Sequence, residues 1–401
     1  MKVIVIKAYD FPLGGAPQNR ALGICRGLIE QNIDVEVHVF GPSKFEISLN
    51  HKKYQVYKSV KIWNHSWRWC PAKKRQQQII GVISGYFKTI IALIQSNRYN
   101  SIDYILFNCE NILYVLPIFV LSRLLKIRLV RDINEFPLYF FSASFNTNRT
   151  NRLQKMLEKL SINLFDDLII MTQTLIRYYK PLARKNVRII HLPMTVDLDR
   201  FIMPIEDLKK QSDIVYCGDL SQSKDGVLTL IQSFALITSE FPKHKLILIG
   251  HNRNISYMAK LKAMIIELGL FDRVVLTGYI NSELIPDKLA KARLLVLARP
   301  DNIQARGGFP TKLGEYLATG IPVAVTAVGE IPLYLIDGFN AFFARPDDIV
   351  SFANAMRRAL CDDALSLKVG NAGRATAMQH FSHSKQGKLL TNFLSREKLA
   401  G

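Results

Sequence analysis

The sequence predicts an α/β protein of two domains, each built on a parallel sheet. Three observations carry this reading. Short apolar, β-branched runs alternate with longer amphipathic stretches, which is the pattern of repeated βα units. The alternation pauses at a Pro-containing polar stretch, residues 191–212, and then starts again. At 401 residues the chain exceeds one ordinary core and suits about two domains.

Taken in order, the first half offers strands at residues 2–6, 35–40, 104–107, 129–132 and 167–171, with helices at 19–31 and 150–164 between them. The second half offers strands at 213–217, 245–250, 274–277, 294–297 and 322–326. Its helices fall at 226–238, 255–268, 282–291 and 311–319. Residues 385–393 look helical and no strand follows them. The expected organisation is a first domain at 1–195, a second at 196–380, and a terminal helix at 381–401 packing back toward the first.

Composition narrows the class. A hydrophobic share of 49% with 21% charged residues is that of a soluble globular protein and excludes a disordered one. The five cysteines (Cys25, Cys70, Cys109, Cys217, Cys361) are scattered without metal-ligand spacing, which suits a reducing compartment. Residues 1–6 read as a strand, lacking the basic flank and long apolar run of a signal peptide. Residues 76–87 and 111–122 are each a dozen residues without charge, short of the roughly 20 a membrane-spanning helix needs. No transmembrane helix is therefore expected.

The formal net charge of +20 is uneven, with 29 basic and 14 acidic residues in positions 1–200. Residues 51–100 hold ten basic residues, no acidic ones and all three tryptophans, Trp63, Trp67 and Trp69. Such a field attracts anions: nucleic acid, lipid headgroups or an anionic substrate. No nucleic-acid-binding module accompanies it, so no nucleic-acid partner is expected. Tryptophans with Lys73, Lys74 and Arg75 suit either a membrane interface or an irregular insertion packed on the first domain.

Three loops of the second half follow strands, at the sheet edge where α/β proteins bind ligands. The first, residues 218–226 (GDLSQSKDG), opens a helix, and its Lys224 is placed to reach a diphosphate. The second, residues 307–315 (GGFPTKLGE), puts Gly307 and Gly308 where backbone N–H groups can approach a ligand, and Pro310 at a first helical turn. Phe309, Thr311 and Lys312 then lie at a helix start, and Glu315 follows one turn later with a carboxylate suited to a ribose diol. The third, residues 326–332 (TAVGEIP), is a glycine-containing turn. Read singly, each also fits an ordinary capped helix or loop.

In order and spacing these blocks resemble the retaining glycosyltransferases of family four, the glycosyl transferases group 1, which have the GT-B architecture. The blocks are VYCGDLSQSKDGVLTLIQSFALI, KLILIG, VVLTGYI, GGFPTKLGEYLATGIPVAVTAVGEIP and DGFNAFFARPDD, with MTQTLIRYY and LPMTVDLDRF upstream. The resemblance implies two Rossmann-like domains with parallel sheets facing across an interdomain cleft. It implies that Glu315 binds the donor ribose, and that Gly14 and Gly15 in FPLGGAPQNR meet the donor phosphates. The pattern departs at three places. The first glutamate of the signature is Gly307, the phosphate-binding arginine after Gly218 is Asp219, and the histidine near the reacting sugar is Asn134, in RDINEFP. A diphosphate clamp would then use Lys312 with Lys224 and the N–H groups around residues 309–311. Any proton relay would need Glu135, Asp132 or the donor phosphate.

The resemblance thus implies a metal-independent enzyme without cofactor, taking a UDP- or GDP-sugar as donor. The acceptor would be a glycan or polyprenyl-diphosphate-linked saccharide, in cell-surface polysaccharide synthesis at the inner face of the cell membrane. Two alternatives stay open: a sugar-nucleotide epimerase of the same fold, and a non-catalytic relative that binds a membrane or partner.

Overall fold

The computed structural model describes residues 1–8, 11–12, 14–41, 54–66, 75–109, 111–137, 148–201 and 212–396. The chain divides into two compact units, Met1–Pro193 with His383–Gly401, and Met194–Ser382.

In the first unit β1 (Lys2–Lys7) leads through α1 (Ala16–Ile29) to β2 (Asp34–Val39). Then come β3 (Gln55–Tyr57), β4 (Val60–Asn64), α2 (Arg75–Tyr99), β5 (Tyr104–Phe107) and α3 (Ile112–Leu124). The chain continues with β6 (Arg128–Ile133), α4 (Asn148–Ile162), β7 (Asp167–Ile170), α5 (Gln173–Tyr179) and β8 (Arg188–His191). The strands form one sheet in the order β3-β4-β2-β1-β5-β6-β7-β8, parallel except for the β3–β4 pair.

Both faces of this sheet are covered, so the middle of β1 (residues 3–6) and the whole of β5 are apolar. In β1 the period of two sends Ile4 and Ile6 into one core, with Tyr86 of α2, Ile118 of α3 and Leu175 of α5. It sends Val3 and Val5 into the other, with Leu22 and Leu28 of α1.

The second unit runs β9 (Asp213–Cys217), α6 (Gln222–Asp225), α7 (Val227–Ala235), β10 (Lys245–Ile249), α8 (Ile255–Glu267) and β11 (Val274–Gly278). It continues with α9 (Ile285–Ala290), β12 (Leu294–Leu297), α10 (Ile303–Gly307), α11 (Thr311–Thr319) and β13 (Val323–Thr326). It closes with α12 (Ile331–Tyr334), β14 (Phe342–Ala344), α13 (Ile349–Cys361) and α14 (Asp363–His380). The sheet is fully parallel in the order β11-β10-β9-β12-β13-β14. Its strand order reverses between β9 and β12, and such a switch point opens a crevice at the strand ends.

The last helix, α15 (His383–Ser395), belongs to the first unit and packs on α1. The two backbones touch at a glycine pair, since a Cβ at Gly387 would lie 2.1 Å from the Gly27 carbonyl oxygen. His383 Nε2 lies 2.8 Å from Glu30 Oε1, and the Ser384 hydroxyl donates to the same carboxylate.

All ten strands expected from the sequence are present. Those missed are short: β3 and β4 in the basic tryptophan segment, β8 just before the polar pause, and β14. Residues 198–201 form a short 3-10 helix that buries Phe201 in the second unit. Helix α2 runs 25 residues because Lys88 and Arg98 sit on its exposed side and do not interrupt it. By length and composition Gln76–Tyr99 is able to cross a membrane, contrary to the expectation from its charge-free stretch alone. Yet its inner side chains Val82, Tyr86 and Leu93 are buried in the sheet's core.

Candidate active site

The switch point of the second unit brings together the loops after β9 and β12, and with them residues far apart in sequence. Lys312, in the first turn of α11, points back under Gly218 at the end of β9. Its Nζ lies 2.6 Å from Asp225 Oδ2 and 3.0 Å from the Tyr216 hydroxyl, and 4.7 Å above the Tyr216 ring. A Cβ at Gly218 would fall 1.9 Å from Lys312 Nζ, so glycine is what leaves room for this ammonium.

Asp225 is 2% exposed in its side chain and also accepts from the Tyr216 hydroxyl at 2.8 Å. Burial works against its charge, but the Lys312 ammonium and the hydrogen bonds outweigh it and hold the carboxyl below the ordinary range. Burial, reinforced by the charge of Asp225, keeps Tyr216 protonated far above the usual phenol range. The loop is fixed at its end by Gly226, whose φ of +67° and whose closeness to the Ala298 carbonyl exclude a side chain.

Lys224 precedes Asp225 on α6 and is half-buried, with no ion pair among the described residues. Asp219, standing where a cation was expected, accepts a hydrogen bond from Asn252 Nδ2 at 3.1 Å. Pro310 caps α11 without offering a side-chain acceptor, so the first-turn N–H groups have no capping side chain. Gly307 ends α10 and Gly308 caps it with ordinary extended backbone, so no unusual φ calls for glycine at Gly308. The Phe309 ring turns inward, edge-on to Tyr334 and against Phe381, leaving only its backbone for a ligand. Thr311 opens α11 and is half-buried.

Glu315 lies one turn further along α11. Its Oε1 accepts from Arg200 Nη1 at 3.1 Å, while Arg200 Nη2 donates to the Ser282 carbonyl at 2.8 Å. The Tyr316 hydroxyl donates to the Cys217 carbonyl oxygen at 3.2 Å and lies 2.7 Å from the Cys217 backbone N–H, tying α11 to the end of β9. Burial pushes the Cys217 thiol up to about 12, so it carries no nucleophilic chemistry at neutral pH. Sequence reasoning missed Tyr216, Asp225, Arg200 and Asn252. Asp225 sits within the first loop it singled out, and Arg200 within LPMTVDLDRF.

The remaining expected residues belong to the first unit. Gly14 and Gly15 follow β1, and Gly15 begins α1 with no side-chain cap. Asn134 and Glu135 follow β6, Asn134 half-buried and Glu135 exposed. Asp132 is withdrawn from any proton relay: Arg20 grips it with Nε at 3.2 Å from both carboxylate oxygens and Nη2 at 2.9 Å from Oδ1, all buried. Trp63 on β4 is a packing residue, stacked on His38 at 6.0 Å and tilted on Tyr54 at 5.1 Å. Trp67, Trp69, Lys73 and Lys74 lie outside the described residues, and Arg75 is the first residue of α2.

Two parallel-sheet units, the second with a crevice at its switch point, fit the two-domain Rossmann-like fold of the GT-B class. Residues 211–362 match the family model described as Glycosyl transferases group 1. The similarity to that family lies within the second unit.

The GDP-mannose-dependent alpha-(1-6)-phosphatidylinositol monomannoside mannosyltransferase of Mycolicibacterium smegmatis is 27% identical over 223 residues, which cover 52% of this chain and 57% of that one. The chain thus spans about half the length of this curated relative. The sucrose-phosphate synthase of Thermosynechococcus elongatus shares the fold with a TM-score of 0.72 at 16% identity, covering 100% of both chains. Anabaena Alr3699/HepE in complex with UDP superposes with a TM-score of 0.71 at 18% identity, over 98% of this chain and 100% of that one.

Proposed function

We propose that the protein is a glycosyltransferase that takes a sugar from a nucleoside-diphosphate donor held in the second unit. The observation that supports this most strongly is the pairing of Glu315, held by Arg200, with Lys312 beside Gly218 across the β9–β12 switch point. The carboxylate suits the ribose diol, and Lys224, Lys312 and the uncapped start of α11 suit the diphosphate. The nucleotide is of the uridine or guanosine class, as in the relatives named above.

In the reaction the bond from the sugar's anomeric carbon to the phosphate oxygen breaks, and the acceptor hydroxyl oxygen bonds to that carbon. The acceptor proton passes to the departing phosphate, on the same face of the sugar, with retention. This route relies on positioning and electrostatics rather than on a side-chain base. It accommodates Asn134 where a histidine would stand, and Asp132 locked to Arg20. The acceptor is a glycan or lipid-linked saccharide of cell-surface polysaccharide synthesis, met at the inner face of the cell membrane.

A non-catalytic reading draws on one observation: Asp219, engaged with Asn252, where the resemblance calls for a phosphate-binding cation. Both readings meet in one assay, release of UDP or GDP from UDP- and GDP-hexoses on addition of a lipid-linked saccharide fraction. Acceptor-dependent release supports transfer. Folded protein that binds nucleotide and releases none supports the non-catalytic relative, and sugar isomerisation without release supports an epimerase.

A further inference from the structure

The outward side of α2 is apolar where a surface helix is ordinarily charged. Ile80, Ile83, Phe87 and Ile91 recur at helical spacing and are 49–61% exposed, while Val82, Tyr86 and Leu93 fill the core behind them. Helix α3 lies alongside, joined through the Tyr86 hydroxyl to the Tyr114 carbonyl, and also exposes Leu116 and Val120, each 48%. Neither helix contains a single acidic residue; Lys88 and Arg98 stand exposed on α2, whereas Arg123 of α3 is paired with Asp166. Exposed apolar side chains in this number on two helices call for a partner. With Lys88 and Arg98 exposed beside the apolar side chains, the face suits an apolar phase beneath anionic headgroups.

We propose that the outer face of α2 and α3 docks the first unit onto an anionic lipid bilayer, with the helices lying in the interface. Spanning is excluded by the same helix: its inner side is part of the sheet's core, and withdrawing it would expose that core to lipid headgroups and water. The Ile and Phe side chains enter the acyl boundary, and Lys88 and Arg98 meet phosphate groups. The inference deepens the proposed function, because a lipid-linked acceptor is reached at such a surface. It differs from a contact through the tryptophan segment, since Trp63 is committed to packing.

Flotation with vesicles rich in phosphatidylglycerol, beside pure phosphatidylcholine, tests it on the full chain. Two variants are used, Ile83→Glu with Phe87→Glu on α2, and Leu116→Glu with Val120→Glu on α3. Circular dichroism and UDP or GDP binding by the second unit check folding and tell failure here from failure of the donor-site reading. The proposal expects wild type to float with the anionic vesicles and both folded variants to partition roughly ten-fold or more weakly. Undiminished flotation of both variants, or no flotation of wild type, overturns it. A lipid-free dimer that the same substitutions dissolve also overturns it and assigns the face to a second copy of the chain.

Discussion

Lys312 and Asp225, 87 residues apart, form a largely buried ion pair of 2.6 Å beneath Gly218. On the proposed reading the pair supplies the cation of the donor site together with its own counter-charge, so fold stability and phosphate binding would draw on the same lysine. The two roles separate by mutation. Asp225→Asn and Lys312→Ala each break a buried pair, a loss of about 3–5 kcal/mol that thermal unfolding reads directly. Nucleoside-diphosphate affinity then diverges, holding or rising in Asp225→Asn and falling in Lys312→Ala. Unchanged affinity in the lysine variant contradicts its role as a clamp.

Acid stability follows from the same pair. The Asp225 carboxyl is held below its ordinary range in the fold, so the unfolded chain takes up its proton first as pH falls. The stability it contributes is complete above the unfolded value of ~3.9 and is lost as pH drops through the lower folded value. Asp166 behaves alike, since its bonds to Arg123 and the Leu129 N–H outweigh its burial. Urea midpoints measured between neutral and strongly acid pH should fall at the acid end, and less steeply in Asp225→Asn.

In the first unit, Asp132 is a structural anion. Arg20 also donates to the carbonyls of Leu192 and Pro193, so the pair ties α1 and β6 to the chain leaving β8. Asp132→Asn is expected to lower the unfolding temperature markedly, with any remaining activity keeping the wild-type pH profile. A titrating limb lost in that variant's pH–rate profile would show Asp132 to be a base after all.

Arg200 is predicted to act through Glu315. Its removal takes from Glu315 a partner held at 3.1 Å. Arg200→Ala should weaken nucleotide binding less than Glu315→Ala does, and adding Arg200→Ala to Glu315→Ala should cost little more. Calorimetric titration of the three variants gives the double-mutant cycle, and full additivity would argue that the two residues act separately.

Much of this was legible in the sequence because a strand covered on both faces is largely apolar, as in residues 3–6 of β1 and in β12. Strand β4 was hidden by its polar neighbours, and β14 by being three residues long. Lys312 and Glu315 were singled out from their place at a helix start. Their partners were not, because the switch point that joins β9 to β12 is a property of the sheet order and leaves no local signal. The same holds for Asp132, whose capture by Arg20 depends on a contact across 112 positions.

The central claim is that Glu315 and its neighbours hold a nucleoside diphosphate. Calorimetric titration of the purified protein with UDP and with GDP, beside Glu315→Ala, tests it most directly. Hydrogen bonds to a charged group contribute about 1.5–3 kcal/mol, so the account predicts binding of one nucleotide that weakens by roughly 10- to 150-fold in the variant. Equal affinity of a folded Glu315→Ala variant, or no binding of either nucleotide by the wild-type chain, would contradict it.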